Sequence, residues 1–403
     1  MEKAKQPGAA SQNGMIDIVK FLCSLLIVTA HFITENAEDK VPSVINYFVS
    51  LYVIVVPFFF VCGGYFLFRK IFADREMGKK HIKAYVIKLL VMYLAWSVLY
   101  VLFNIAAWIR FGTTVQDVLL YICHALFYST YKTIWFLPAM IIGVLITYFL
   151  EKKFGIKVTL AVACVFYLIG ALGVSYSFLL RGTPAETLLN QYNCFFESTR
   201  NGLFNGFPFV ALGAYIVAGN EKRKHSVGHL VLFNGIFTAL FGILFVAEAF
   251  LIKNKFAAVN ANTLLFLIPF SYFFVRLCLC IPLRTGKVTF WMRKISTVIF
   301  LCQRIFLTAL PVLLPDGFYA GILKGNWVIG LLLILISVLT LSELIMLLAK
   351  RIRFFRCFAD RFGRKILCMS FIIAVICFQA SQVFLCCRFL KTIRKRKKYI
   401  YCI

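Results

Sequence analysis

The chain has 403 residues, 62% hydrophobic and only 15% charged. A water-soluble domain runs about half apolar and a quarter charged, so a soluble globular protein is excluded. The 44 Lys and Arg against 16 Asp and Glu give a net charge of +28 in short clusters between long apolar runs; this pattern suits an anionic membrane surface better than a phosphate backbone, so membrane lipids are expected as partners and nucleic acid is not.

A polar segment of residues 1–14 comes first and is expected on the cytoplasmic side. Ten apolar runs then reach the length of about 20 residues that a membrane crossing needs. They cover residues 15–34, 44–68, 84–108, 133–150, 157–178, 202–219, 228–250, 262–283, 295–314 and 326–349. The first run contains His31 and has no small-residue cleavage site, so it reads as a span and not as a removable signal. The predicted fold is all-α, a polytopic bundle of about ten transmembrane helices over residues 15–351.

Orientation follows from the loops. With the N-terminus inside, the cytoplasmic segments through residue 365 carry 25 Lys and Arg, counting Lys157 at the start of the fifth run, and the opposite loops carry 8. That asymmetry predicts both termini on the cytoplasmic side of a multi-pass membrane protein. Residues 352–403 form a basic appendage holding six of the fourteen cysteines, with an apolar stretch from Ile366 to Cys387. Were that stretch to cross, the run Arg394-Lys395-Arg396-Lys397-Lys398 would lie outside, so an interfacial segment is preferred over an eleventh span. Most other cysteines lie in apolar stretches, no CxxC pair occurs, and neither a disulfide framework nor a metal site is expected.

Ionisable groups inside a span are costly and therefore candidates for function. In IDIVKFLCSLLIVTAH, Lys20 and His31 are eleven residues apart, which places them within about 20° of one another around a helix and about 16 Å apart along it. Lys20 would face the cytoplasmic half and His31 the outer half. A basic group inside suits a phosphate-bearing donor, and a neutral imidazole further out suits proton transfer. Glu35, one turn beyond, is placed to orient His31. Two plainer readings stand beside these: Lys20 as a headgroup anchor, and His31 as a hydrogen-bonded core residue. Arg200 and Asn201 open the sixth run, either as ligand contacts or as an interfacial cap. Trp135 is either a sugar-stacking surface or part of an interfacial aromatic belt. Lys88, near the start of the third run, either lines the donor path or snorkels. Arg304 lies inside the ninth run and needs a partner or a wet cavity, whereas Glu248 and Glu343 look interfacial. His81, His124, His225 and His229 are weaker candidates.

The first run, PFFFVCGGYFLFRK, TIWFLPAMIIG and STRNGLFNGFPFVALGAYI, in that order, resemble the integral-membrane acyltransferase family 3 over residues 15–351. Nearer likenesses are its polysaccharide O-acetyltransferases and the membrane portion of vancomycin-resistance serine/alanine racemases. The resemblance implies acyl transfer from cytoplasmic acyl-CoA, usually acetyl-CoA, to a cell-envelope glycan or lipid-linked sugar in a bacterial plasma membrane. Acyl-CoA would act as co-substrate, with no permanently bound cofactor. The family's first-span signature, a basic residue, ten intervening residues and a His, is matched by Lys20 as the donor contact and His31 as the catalytic group, with Glu35 joined to His31 by the spacing read above. Lys79, Lys80, Lys83 and Lys88 would supplement that contact, and Arg200, Asn201 and Trp135 would hold the acceptor. The sequence departs from the family in having Gln303-Arg304 where His-Pro is usual, and Lys20 where Arg is commoner. A permease for an amino acid or lipid-linked sugar is the alternative, and an inactive scaffold a third reading.

Overall fold

Lipid cannot hydrogen-bond to the backbone, so an apolar chain must satisfy its amides internally, and helices do so residue by residue. The computed structural model describes residues 13–37, 40–42, 45, 51–220, 226–256, 262–309 and 326–352. Among them the secondary structure is helical throughout, as expected. The α-helices are α1 Gly14–Phe32, α2 Val55–Ala73, α3 Gly78–Phe111, α4 Val115–Phe127, α5 Phe136–Gly173 and α6 Pro184–Phe196. They continue with α7 Phe207–Asn220, α8 Val227–Lys255, α9 Leu267–Cys280, α10 Lys287–Arg304 and α11 Trp327–Arg351. Seven helical segments among the described residues are long and apolar enough to cross a membrane.

Comparison with the expected runs shows where helices and spans part company. The runs 133–150 and 157–178 are the two arms of α5, interrupted at Gly155, whose φ of 78° and ψ of 166° suit glycine. The arms fold back on one another, because Ile146 and Leu150 of the first pack with Val162 and Phe166 of the second around Phe207 and Ala211. The run 262–283 contains a helix of only 14 residues, α9, below the usual crossing length. Helix α10 begins at Lys287, before the expected 295, and extends beyond Arg304 as a π-helical turn, Ile305–Ala309. Residues 310–314 of that run, most of residues 1–14, His225 and the appendage from residue 353 lie outside the described residues.

The end of the bundle carrying Asn13, Lys70 and Arg293 is held by polar contacts, and is called inner after the orientation the charges predict. Asn13 caps α1 by accepting from the Ile16 amide at 3.0 Å. Asp17, only 3% exposed, receives a two-pronged bond from Arg293 at 2.6 and 2.8 Å, fastening α1 to α10. Removing Arg293 would leave the Asp17 carboxylate buried without this partner, which is unfavourable. Arg75 bonds Glu151 at 3.0 Å and closes the α2–α3 turn onto the first arm of α5. Deeper in, α2 and α7 touch backbone to backbone. A Cβ on Gly64 would lie 2.4 Å from the Val210 carbonyl oxygen, and one on Gly213 would lie 2.3 Å from that of Val61. Such small-residue contacts let helices approach closely where no hydrophobic force distinguishes neighbour from lipid. They fix α2 and α7 as the centre against which the site is built.

Three π-helical turns, Ile33–Ala37, Gly202–Gly206 and Ile305–Ala309, interrupt or extend these helices at the opposite, outer end. Each follows directly on a group of candidate residues: His31 and Phe32, Arg200 and Asn201, and Arg304. A π turn widens the helix by one residue and redirects the side chains beyond it, and such turns concentrate at functional sites.

Candidate functional site

Two internal cavities flank the middle of the bundle. The inner one, about 400 Å³, is lined by Asp17 and Lys20 of α1, Lys70 of α2, Lys88 of α3 and Arg293 of α10, among apolar side chains. The outer one, about 590 Å³, is lined by His31, Tyr52, Lys132, Thr133, Trp135, Arg181, Glu186, Glu197, Arg200 and Arg304. Phe300 of α10 lines both. Lys20 and His31 therefore both face the interior, as their helical spacing predicts, but they open into different chambers.

At the outer chamber, α1 and α10 meet through a charged trio. Arg304 is 4% exposed and donates through Nη1 to both carboxylate oxygens of Glu35, at 2.6 Å to Oε2. Through Nη2 it donates to Nδ1 of His31 at 3.1 Å. A guanidinium has no lone pair to offer, so Nδ1 is the acceptor and the neutral ring carries its proton on Nε2. Glu35 itself lies 3.9 Å from Nδ1. The expected direct pairing of Glu35 with His31 is thus mediated by Arg304, which stands between them in hydrogen-bonding terms. The π turn at Ile33–Ala37 redirects the chain between His31 and Glu35. Tyr52 covers the other side of the imidazole, with ring centroids 5.7 Å apart. The following π turn of α10 is anchored by the Tyr131–Thr308 hydroxyl contact at 2.8 Å.

On the facing wall, the Arg200 guanidinium lies over the Trp135 ring at 5.1 Å, and Tyr128 stacks on the same indole at 6.1 Å. Trp135 is 5% exposed, so it belongs to the chamber wall and not to an outward aromatic belt. Asn201 caps the adjoining π turn. Its Oδ1 accepts from the Leu203 and Phe204 amides at 3.0 and 3.3 Å, and its Nδ2 donates to Tyr192 and to the Ser198 carbonyl. With both ends of its amide so engaged, Asn201 acts as a cap and, unlike Arg200, is not among the residues that line the chamber. Three buried polar atoms of the chamber, Thr133 Oγ1, Asn193 Oδ1 and Arg304 Nε, have no hydrogen-bond partner among the described residues. Burying such groups unmet is unfavourable, so the chamber suits a polar occupant or water.

The inner chamber is simpler. Lys20 sits 5.4 Å from the Phe66 ring, and Lys70 and Lys88 share its walls. The one lining carboxylate, Asp17, is taken by Arg293. Lys79, Lys80 and Lys83, expected to join the donor contact, are exposed on the first turns of α3 and do not line the cavity; Lys70 and Arg293 occupy that position instead. Arg293 could not be picked from the sequence, since it reads as one member of an ordinary basic loop.

Other polar residues have structural partners. Glu248, 8% exposed, accepts from the Leu265 and Phe266 amides at 2.6 and 2.9 Å and from the Tyr176 hydroxyl, so it is buried against the segment that leads into α9. Glu343 accepts from Trp291 at 2.8 Å. His124 meets the Cys194 carbonyl at 3.2 Å and joins α4 to α6. Among the described residues no cluster of three or more His, Cys, Asp or Glu could hold a metal.

Comparison with known proteins agrees with this architecture. An amino-acid racemase of Enterococcus faecalis is 24% identical over 349 residues, covering 85% of this chain and 47% of the relative. A serine/alanine racemase of Enterococcus gallinarum is 25% identical over 270 residues, covering 66% of this chain and 36% of the relative. The chain thus spans less than half the length of these curated relatives. No solved structure matches it. The sequence model of acyltransferase family 3, described as an acyltransferase domain, matches residues 13–347, from the α1 cap at Asn13 to near the end of α11. The chain belongs to this membrane acyltransferase family.

Proposed function

We propose that the protein transfers an acyl group, acetyl in the simplest case, from cytoplasmic acyl-CoA to a hydroxyl of a cell-envelope glycan or lipid-linked sugar, in the cell membrane. The observation that carries this reading is that a cationic chamber and a chamber lined by His31 and Arg304 share one wall residue, Phe300. Lys20, Lys88, Lys70 and Arg293 offer positive charge to coenzyme phosphates from the inner side. Arg200, seated on the Trp135 ring, offers a donor fork to a polar acceptor from the outer side.

In the reaction, the acceptor oxygen bonds to the thioester carbonyl carbon and the carbon–sulfur bond breaks. The hydroxyl proton passes to His31, and the departing thiolate takes up a proton. Arg304 decides which ring nitrogen is available for this. While Arg304 donates to Nδ1, the Nε2–H of a neutral His31 can only donate, for instance to the developing oxyanion. When that bond is exchanged for an Nδ1–H donated to Glu35, Nε2 becomes the base. Glu35 and Arg304 are positioning residues in this scheme.

The test is incubation of membranes with radiolabelled acetyl-CoA, followed by separation of lipid-linked and polymeric glycans. Label should enter one such fraction in step with CoA release, and His31→Ala should stop it at unchanged protein abundance. Retained transfer in His31→Ala would remove the imidazole from the scheme.

The racemase names of the relatives favour a second reading, in which the outer chamber admits an amino acid for passage and no acyl group moves. Uptake of labelled serine or alanine without CoA release would favour it.

A further inference from the structure

The two chambers meet at a closed cluster of three phenyl rings drawn from three helices. Phe59 of α2, Phe136 at the start of α5 and Phe300 of α10 are mutually in contact. Their centroids are 6.1 Å apart for Phe59–Phe136, 5.7 Å for Phe59–Phe300 and 5.4 Å for Phe136–Phe300. These separations lie within the range of touching aromatic pairs, so no water-sized opening passes between the rings. Phe59 and Phe136 face the inner chamber, and Phe300, 5% exposed, faces both. Phe60 backs Phe136 at 4.6 Å, and the next residue in the chain, Trp135, already belongs to the outer wall. On α1, Lys20 lies on the inner side of this cluster and His31 on the outer side.

We propose that Phe59, Phe136 and Phe300 form an aromatic partition that selects the acyl group by size, parting for a short acyl thioester and refusing longer chains and small polar solutes. The identity of the passing group rests on the acyl-transfer reading above; the closure of the partition does not. Phe300 stands between the inner chamber, where a donor's phosphates would rest near Lys20, and the outer chamber that holds His31. The rings are apolar on every contacting edge, so a slim alkyl-bearing thioester can replace ring–ring contact with ring–chain contact, whereas urea or water would leave its polar atoms unmet. Each added methylene must be accommodated by further ring displacement against packed neighbours, which is where the selection arises.

The test uses purified protein in liposomes and two readouts. The first is urea permeability by light scattering after an osmotic step. The second is the ratio of kcat/KM for acetyl-CoA to that for hexanoyl-CoA. Wild-type vesicles should match protein-free vesicles in urea flux and should favour acetyl-CoA. Phe300→Ala should raise urea flux severalfold and lower the acetyl-to-hexanoyl ratio by about tenfold. Phe300→Leu keeps an apolar plug of smaller area and should give intermediate values, and it replaces the alanine variant should that one fail to fold. Wild-type vesicles already leaky to urea, or folded variants with unchanged flux and unchanged ratio, would overturn the partition. Should no protein consume acyl-CoA while urea flux still rises in Phe300→Ala, the partition stands and the acyl-transfer reading falls. The reverse result, normal transfer with an unaltered flux and ratio, retains the transfer and discards the partition.

Discussion

The inner and outer chambers both gather cations, yet they hold them differently. Around the inner chamber Lys20, Lys70 and Lys88 are spread over three helices, and the nearby carboxylate of Asp17 is committed to Arg293. Around the outer chamber two guanidiniums have fixed seats: Arg304 between Glu35 and His31, and Arg200 on the face of Trp135. The first arrangement supplies charge without prescribing an angle. The second prescribes angles and distances for particular atoms. Recognition by summed charge tolerates exchange of one cation for another, whereas recognition by geometry does not.

Substitutions at the two chambers should separate these modes. The largest effect is expected for His31→Ala, which removes the proton acceptor. Acceptor acylation should fall by about 10²–10⁴-fold in membranes containing equal amounts of protein, as read by glycan-bound label. Next comes Arg304→Lys, which keeps the charge but cannot serve Glu35 and His31 together. A loss of about 10²-fold in kcat is expected, with little change in the KM for acyl-CoA. Lys20→Ala should act the other way round, raising the acyl-CoA KM by about tenfold at a nearly constant kcat. Lys20→Arg should recover most of that loss, since the charge returns. The smallest effect is expected for a Lys79→Ala/Lys80→Ala double variant, whose side chains lie on the exposed rim. Its KM should rise by about twofold at low salt and converge with wild type at high salt. A large kcat effect from Lys20→Ala, or none from Arg304→Lys, would erase the distinction between the chambers.

Much of this was legible in the chain, for physical reasons. The helical character follows from apolar runs that leave the backbone no other way to be satisfied, and α1 shows the simplest case. There the eleven-residue spacing alone sets Lys20 and His31 facing inward. The break at Gly155 was legible only as a gap between two runs, because a single left-handed residue inside a helical hairpin leaves no hydrophobic signature. The importance of Arg304 was half legible. A charge deep in a span announces that it needs a partner, but its bond to Glu35 joins residues 269 positions apart, and no local pattern encodes such a pairing. Arg293 and Lys70 were hidden among other basic residues for the same reason. The three phenylalanines of the partition were invisible in a chain with 44 of them. The partners of Glu248, the Leu265 and Phe266 amides just before α9, were equally out of reach of any local pattern.

The three π turns carry a consequence for how this architecture can change. A turn of this kind holds one residue more than the α-helical path between the same points, so deleting a single residue from Ile33–Ala37 would let the backbone settle into an uninterrupted α-helix. The helix beyond Ala37 would keep its face, and the change would fall inside the turn: a deletion before Glu35 would bring that residue one position nearer His31 and off its present line with Arg304, while His31 stays where it is. Relatives that differ by one codon at these turns would therefore be rewired at the outer chamber with no exchange of side-chain chemistry, and indel length, more than residue identity, would be the quantity to follow among them.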